Sequence, residues 1–149
     1  SSHNLNAESD GCRSRAKSSP RILRRHFLTR GSRFVNITRH DQSAILSQAV
    51  EHGETVYLAG IVAKDLSKDV KGQTREVLGE IDRLLAKCGS SKSKVLQCHI
   101  WVTDIRNRSP MNEVWTEWVD KNNLPARACV EAKLADPNAL VEIMVIAAK

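Results

Sequence analysis

Apolar residues recur every three or four positions between residues 70 and 88, the spacing of one buried face of an α-helix. Asp69 can cap the start of this helix, and Gly89 follows its end. A second helix is predicted from Ser109, as the cap, and Pro110, as the first helical residue. The apolar positions predict the buried faces of the two helices: Val77, Leu78, Ile81, Leu84, Leu85 and Cys88 in the first, and Met111, Val114, Trp115, Trp118 and Val119 in the second.

Short segments with strand-like patterns surround the two helices. They cover residues 34–37, 44–50, 55–62, 95–103, 126–133 and 139–147, with a hairpin turn at 51–54. The segment 95–103 is apolar on both faces, with Leu96 and Cys98 on one side and Val95 and Trp101 on the other. We expect one face to pack on the helices and the second to meet another subunit. The order β-β-β-α-β-α-β-β predicts an α+β fold with both helices on one face of a mixed sheet.

Positive charge is concentrated at the N-terminus. Residues 1–40 contain nine Lys/Arg and two Asp/Glu, a net charge of +7, which leaves −1 for the rest of the 149-residue chain. We expect a disordered basic tail at 1–32 and one domain at 33–149. The Ser- and Arg-rich, acid-poor segment 11–31 is typical of an organellar transit peptide, such as a mitochondrial one, and equally of a plain disordered tail; a nucleic-acid-binding arm is the least favoured alternative.

Two classes of protein are not indicated by the pattern. No run of about 18 apolar residues occurs, so no membrane-spanning segment is predicted. The four cysteines show no CxxC spacing, and His99 adjoins Cys98 only on the opposite face of a strand. A reduced, intracellular protein, cytoplasmic or organellar, without a structural metal is therefore predicted.

The two C-terminal strands carry the residues that point to chemistry. Arg127 and Cys129 lie two positions apart in an extended segment, so both side chains leave the same face. An unpaired guanidinium is costly away from water, which suggests that an anion binds there. One interpretation of Arg127 is a bidentate clamp for a substrate carboxylate. The other is a surface arginine or an ion-pair partner of Glu131 or Glu142.

Cys129 and Glu142 also have two interpretations each. Cys129 is either a small buried residue or a weak polar group that lines a pocket. Because no histidine lies near it in the sequence, a thiolate mechanism is not indicated. Glu142 lies in the apolar segment 140–146, where a carboxylate suits proton transfer to or from a substrate. The alternative is an exposed position in an alternating strand.

Five segments together resemble the RidA/YjgF/YER057c/UK114 family: 57–60, 84–89, 101–104, Asn112 with Trp115, and 125–131. The resemblance runs from about residue 40 to the C-terminus. It implies a chorismate-mutase-like fold assembled as a homotrimer, with active sites in clefts between subunits. It also implies hydrolysis of the reactive 2-enamine and 2-imine acids released by pyridoxal-phosphate enzymes, which gives 2-oxo acids and ammonia without a cofactor.

The same resemblance implies roles for single residues. Arg127 would hold the substrate carboxylate, and Glu142 would position or activate water. The remaining residues expected at the pocket are Cys129, Asn112, Ala59 and Gly60. The best-studied branch has Ser-Gly-Gln at 59–61 and a tyrosine near 45–47, whereas this chain reads Ala-Gly-Ile and Ile-Leu-Ser. The pocket is therefore expected to be more apolar, as in a side branch with another substrate.

Two other functions stay open at this point. One is a trimer that binds small carboxylates without turnover. The other is an endoribonuclease-like or translation-inhibitor-like role on RNA, since relatives have been described in those terms. The basic N-terminus favours an RNA partner, and the near-neutral domain opposes it.

Overall fold

The structure, a computed structural model, describes residues 35–149, so the tail predicted at 1–32 lies outside the described residues. Within 35–149 the chain forms seven strands and two α-helices. In order they are β1 (Ile37–Gln42), β2 (Ser47–His52), β3 (Thr55–Leu58), β4 (Ile61–Val62), α1 (Val70–Lys87), β5 (Val95–Val102), α2 (Arg108–Trp118), β6 (Ala126–Glu131) and β7 (Val141–Ala148).

All seven strands belong to one mixed sheet. The strand order is β1-β2-β3-β7-β5-β6, and β4 pairs with β7 beside β3. The β5–β6 pair is parallel and the other pairs are antiparallel. Alternate residues of β5 and β7 form a core with the apolar faces of α1 and α2, so both helices cover the same face of the sheet. The predicted α+β architecture is confirmed.

The first helix forms as its sequence predicts. The Asp69 side chain accepts a hydrogen bond from the backbone N–H of Gly72 at 2.8 Å, which satisfies one of the free donors of the first turn. Gly89 follows the helix with φ of 74°, a conformation that glycine adopts without a steric penalty. The predicted apolar face is buried in the core. None of the described helices is long and apolar enough to cross a membrane.

The first strands differ from the prediction at their ends. Strand β1 begins at Ile37, near the end of the predicted segment 34–37, and residues 43–46 form a turn where a strand was predicted. The Ser43 backbone N–H donates to Leu46 O at 2.8 Å, and the Ser43 hydroxyl accepts from the N–H of Ile45 and Leu46. A serine that satisfies local backbone groups in this way favours a turn over a strand.

The predicted strand 55–62 is divided into β3 and β4. Both parts pair with β7. Tyr57 lies opposite Ile146 and Ile61 lies opposite Ile143, so four steps along this segment match only three steps along β7. The extra residue interrupts the ladder at Ala59 and Gly60, as in a β-bulge. The interruption places the backbone of Gly60 against β7, close to Glu142.

A second irregularity reverses two predicted side-chain directions in β5. Val95 is 5% exposed and belongs to the helix-covered core, whereas Leu96 is 53% exposed. The prediction that Leu96 shares a face with Cys98, and Val95 with Trp101, is wrong. A register shift against β7 between Val95 and Gln97 inserts a residue, so the simple alternation fails there.

The second helix starts earlier than predicted. Its cap is Asn107 and its first residue is Arg108, so the prediction of Ser109 as the cap is wrong. A 3₁₀ turn over Ile105–Asn107 leads directly into the helix, and the Asp104 side chain accepts from the Arg106 N–H at 2.9 Å. Pro110 is thus the third helical residue. It is tolerated because N–H groups of the first turn have no intrahelical acceptor.

Candidate functional site

Arg127 is held in place by two residues of α2. Its Nη1 donates a hydrogen bond of 2.8 Å to Asn112 Oδ1, and its Cζ lies 5.1 Å from the ring centroid of Trp115. The register pairs Arg127 with Cys98, so the side chain leaves edge strand β6 on the helix-covered face. Asn112 and Trp115 are three residues apart and therefore neighbours on the same side of α2. The guanidinium is half-buried and oriented by an amide and an aromatic face.

Neither Glu131 nor Glu142, the two acidic partners considered for Arg127, pairs with it. Glu131 accepts a hydrogen bond from the backbone N–H of Ile105 at 2.8 Å. Within residues 35–149 Arg127 makes no ion pair, and its side chain has the single hydrogen bond to Asn112. A guanidinium carries five N–H donors. Most of these donors remain available to an anion.

Cys129 lies on the same face of β6 as Arg127, two residues further along. The register pairs it with Ile100, and its side chain is partly exposed. Burial raises the pKa of the Cys129 thiol, and the positive charges of Arg127 and Arg108 only partly oppose this. The neutral thiol therefore prevails near neutral pH, which fits a weak polar wall rather than a thiolate nucleophile.

Glu142 stands beside Gly60 on a different part of the sheet. The register places Glu142 opposite Val62 of β4 and Trp101 of β5. A Cβ added at Gly60 would lie 2.0 Å from Glu142 Oε1, so the backbone there approaches the carboxylate as closely as only glycine allows. Ala59 precedes this contact, and its N–H donates to Gln48 O at 2.9 Å. Ala59, Gly60 and Glu142 thus form one local group.

The structure divides the expected site residues into two groups on opposite faces. Arg127 and Cys129 align with Cys98 and Ile100, which point to the helices. Glu142 aligns with Trp101, which points away from them. The register therefore brings Arg127, Cys129 and Asn112 together, and Glu142, Gly60 and Ala59 together. Within one chain it does not bring the two groups together.

The structure adds Trp115 to the candidate site: the sequence pattern placed it in the helix core and in the family motif with Asn112, without a role at the site. It is 6% exposed, which fits the predicted core position, and its ring also packs against Trp118 at 5.3 Å between centroids. Its second contact is the Arg127 guanidinium. The available signal was the Asn112–Trp115 spacing, which puts an amide and an aromatic ring on one helix face.

Comparisons with known proteins agree with one another. A family model described as Endoribonuclease L-PSP matches residues 37–149. A RutC family protein of Haemophilus influenzae is 46% identical over 114 residues, which are 76% of this chain and 98% of that protein. The chain is a member of the RutC/YjgF family. The RutC family protein YoaB of Escherichia coli is 38% identical over 114 residues, 76% of this chain and 99% of that one.

Solved structures of the RutC/YjgF family share the fold. NMB1025 of Neisseria meningitidis, a YjgF family member, superimposes with a TM-score of 0.75 at 40% identity, over 77% of this chain and 96% of that one. Rv2704 of Mycobacterium tuberculosis, from the YjgF/YER057c/UK114 family, gives 0.70 at 29% identity, over 76% and 100%. The family indicated by the residue pattern is confirmed. RutC/YjgF membership supports a small-molecule deaminase or related role in general.

Proposed function

We propose that this RutC/YjgF family member hydrolyses 2-imine acids, and their 2-enamine tautomers, to 2-oxo acids and ammonia. The observation that carries the proposal is Arg127, which is half-buried, oriented by Asn112 and Trp115, and without an acidic partner in the described residues. Such a guanidinium is suited to a ligand carboxylate. Family membership supplies the general class of chemistry.

Arg127 is the carboxylate clamp of the proposed reaction. A planar guanidinium binds a carboxylate through two parallel N–H donors, which fixes both the position and the plane of the substrate. The Asn112 amide uses Nη1 and the Trp115 ring covers one face, so the direction in which the carboxylate can approach is limited. Cys129 on the same strand face lines the clamp as a neutral thiol. Fixing C2 of the substrate in this way lowers the entropic cost of water attack.

Glu142 is the acid–base group of the proposed reaction. An enamine first takes a proton at C3 and becomes the iminium. The Glu142 carboxylate then removes a proton from water while the water oxygen bonds to C2, which gives a carbinolamine. That proton passes to the amino nitrogen, the C–N bond breaks, ammonia leaves, and loss of the hydroxyl proton forms the 2-oxo group. General acid–base catalysis of this kind raises the rate about 10²–10⁴-fold. Water is the only co-reactant that the reaction consumes.

The two groups require two copies of the chain around one substrate. Arg127 and Glu142 lie on opposite faces of the sheet, so in our proposal Arg127 of one protomer faces Glu142 of the next. The uncovered face carries apolar side chains that fit a contact between copies, with Tyr57 43%, Val62 40% and Val130 50% exposed. Within 35–149 the buried Nδ1 of His99 on this face has no hydrogen-bond partner, as expected where another copy supplies one. A homotrimer, which the family resemblance implies, is the assembly we propose.

The test is acceleration of imine hydrolysis. Imines are generated in situ from amino acids by an amino-acid oxidase, and the release of 2-oxo acid and ammonia is followed with and without the protein. Arg127→Ala is compared with Arg106→Ala. Arg106 is a matched control because its side chain is 88% exposed and, among residues 35–149, binds only Asp104.

We expect the unmodified protein and Arg106→Ala to accelerate hydrolysis equally, and Arg127→Ala to lose about a hundredfold in kcat/KM, the value of one charge-assisted clamp. No acceleration with small, aliphatic and aromatic imines by a folded oligomer would contradict the proposal. If that oligomer still bound small carboxylates tightly, the chain would be a binding protein.

A further inference from the structure

A second cluster of reactive side chains lies at the opposite edge of the sheet from β6. His40 of β1, Glu51 of β2 and Cys88 at the end of α1 each offer one ligand atom, and these atoms all lie within 4.8 Å of one another. The register pairs His40 with Ala49, a core residue, and Glu51 shares its face, so both side chains point to the helix-covered side. None of the three belongs to the site around Arg127 or Glu142.

The cluster is shielded from solvent. The His40 side chain is 18% exposed and that of Glu51 is 13% exposed, while Cys88 is buried. His40 Nε2 lies 2.5 Å from Glu51 Oε1. A buried thiol beside an imidazole and a carboxylate brings together one sulfur, one nitrogen and one oxygen donor. This is the donor set that Zn²⁺ and similar divalent ions take in proteins.

The neighbouring residues hold these donors in place. Lys149 Nζ contacts Glu51 Oε2, which leaves Oε1 on the side of His40. The Cys88 backbone N–H bonds to Leu84 O at 3.2 Å and to Leu85 O at 3.1 Å, which fixes the Cys88 backbone at the helix end. Hydrogen bonds to ligands of this kind orient metal sites in general. Donor atoms around a tetrahedral zinc lie about 3.5 Å apart, so the three donors, now within 4.8 Å of one another, have to shift by about 1 Å to close on an ion.

The charges nearby are compatible with a cation. Lys87 contacts Asp41, and Arg83 binds Glu80 and Asp41, so these two positive groups have carboxylate partners outside the cluster, whereas Lys149 pairs with Glu51 itself through Oε2. The pKa of Glu51 is lowered by its hydrogen bonds to Lys149 and His40, so the carboxylate is ionised at neutral pH. Burial, and then the charge of Glu51, raise the pKa of Cys88. A bound ion therefore has to displace the thiol proton.

We propose that His40 Nε2, one Glu51 carboxylate oxygen and the Cys88 thiolate bind a divalent transition-metal ion of the zinc type. Binding breaks the His40–Glu51 hydrogen bond. The proton that Nε2 donates there moves to Nδ1 of a neutral ring or to solvent from a charged one, and the Cys88 thiol proton is also released to solvent. Three protein ligands leave the fourth position of a tetrahedral ion for water. The ion would join β1 and β2 to the C-terminal end of α1. This site could not be predicted from the sequence, because the ligands are 11 and 37 positions apart and form no metal-binding spacing.

The test uses Co²⁺ as a spectroscopic probe of the full chain. Cys12→Ser is introduced throughout, because Cys12 lies outside the described residues and offers another thiol. Co²⁺ is titrated while absorption in the near-ultraviolet, where cobalt–thiolate charge transfer appears, and proton release are followed; Zn²⁺ is then added as the competitor. Cys88→Ala, Cys88→Ser and His40→Gln are compared with the controls His52→Ala and Cys129→Ala, whose side chains lie outside the cluster.

We expect one ion per chain, a charge-transfer band that Zn²⁺ removes, and the same behaviour in both controls. The band should vanish in Cys88→Ala and Cys88→Ser, and His40→Gln should weaken binding at least about tenfold. Zn²⁺ should raise the thermal midpoint of the parent chain and not that of the Cys88 variants. Absence of saturable binding, or a band that persists without Cys88, would overturn the site. Three variants of the proposed ligands are used, so if one of them fails to fold, the other two still test the site.

Discussion

The Arg127 group and the Glu142 group differ in how complete they are within one chain. Arg127 is positioned by a hydrogen bond to Asn112 and by the face of Trp115, both on a helix packed over its strand. Glu142 lies on the uncovered face of the sheet, among the apolar side chains that we assign to subunit contact. The proposed clamp is therefore built by the fold of one protomer, whereas the proposed acid–base group would take part of its surroundings from a neighbouring protomer.

This difference explains why the two expected catalytic residues, Arg127 and Glu142, do not meet within residues 35–149 of one chain. The strand register separates them: Arg127 aligns with Cys98 and Glu142 with Trp101, and the side chains of Cys98 and Trp101 point to opposite faces of the sheet. Assembly then becomes part of the proposed chemistry. Glu142→Gln should accordingly report on the proposed proton transfer, and Gly60→Ala on the position of the Glu142 carboxylate.

The largest effect should come from Glu142→Gln. The amide keeps the shape of the side chain and cannot accept a proton from water, so we expect kcat to fall about a thousandfold while oligomerisation is unchanged. Glu131→Gln is the matched control, since its amide oxygen can still accept from the Ile105 N–H. Steady-state kinetics of both variants make the comparison. An active Glu142→Gln variant would remove Glu142 from the proton transfer.

Gly60→Ala should have an intermediate effect. Its Cβ would meet Glu142 Oε1 at 2.0 Å, so the carboxylate must move, and a displacement of about 1 Å in a catalytic group costs about ten- to a hundredfold in rate. Gly79→Ala is the control, because nothing lies within 4 Å of its new Cβ in α1. That control should keep full activity and raise the free energy of unfolding by about 0.5–1 kcal/mol. Equal activities of the two variants would show that the Glu142 position does not matter.

Cys129→Ala should have the smallest effect. Since burial raises the pKa of the Cys129 thiol, the group is neutral at pH 7 and supplies no nucleophile. We expect kcat/KM to stay within about threefold of the parent value, with the same pH profile between pH 6 and 8. A loss as large as that of Glu142→Gln would instead assign covalent chemistry to the thiol.

The fold was largely predictable because its signals are local. Helical periodicity identified the buried face of α1, and the apolar segment 95–103 predicted the strand that the structure shows as β5. The errors arose where one extra residue shifts a register, as between Val95 and Gln97, or where a 3₁₀ turn precedes a helix, as before Arg108. Such irregularities depend on pairing with distant strands and leave little trace in a single segment.

The candidate site was predictable only in part. The spacing of Arg127 and Cys129 placed both on one face, which the register bears out. The contact of Arg127 with Asn112 and Trp115 joins β6 to α2, and the separation of Arg127 from Glu142 follows from sheet order; neither can be inferred from spacing alone. Likewise, His40, Glu51 and Cys88 meet only because β1 and β2 fold beneath the end of α1.

Complementation between two inactive variants tests the central claim most directly. Arg127→Ala and Glu142→Gln chains with different tags are co-expressed, and mixed oligomers are isolated by two successive affinity steps. If each site takes Arg127 from one protomer and Glu142 from the next, about one site in three of a mixed trimer is intact, so about one third of the parent activity should return. Mixed oligomers as inactive as either variant alone would contradict a site shared between protomers.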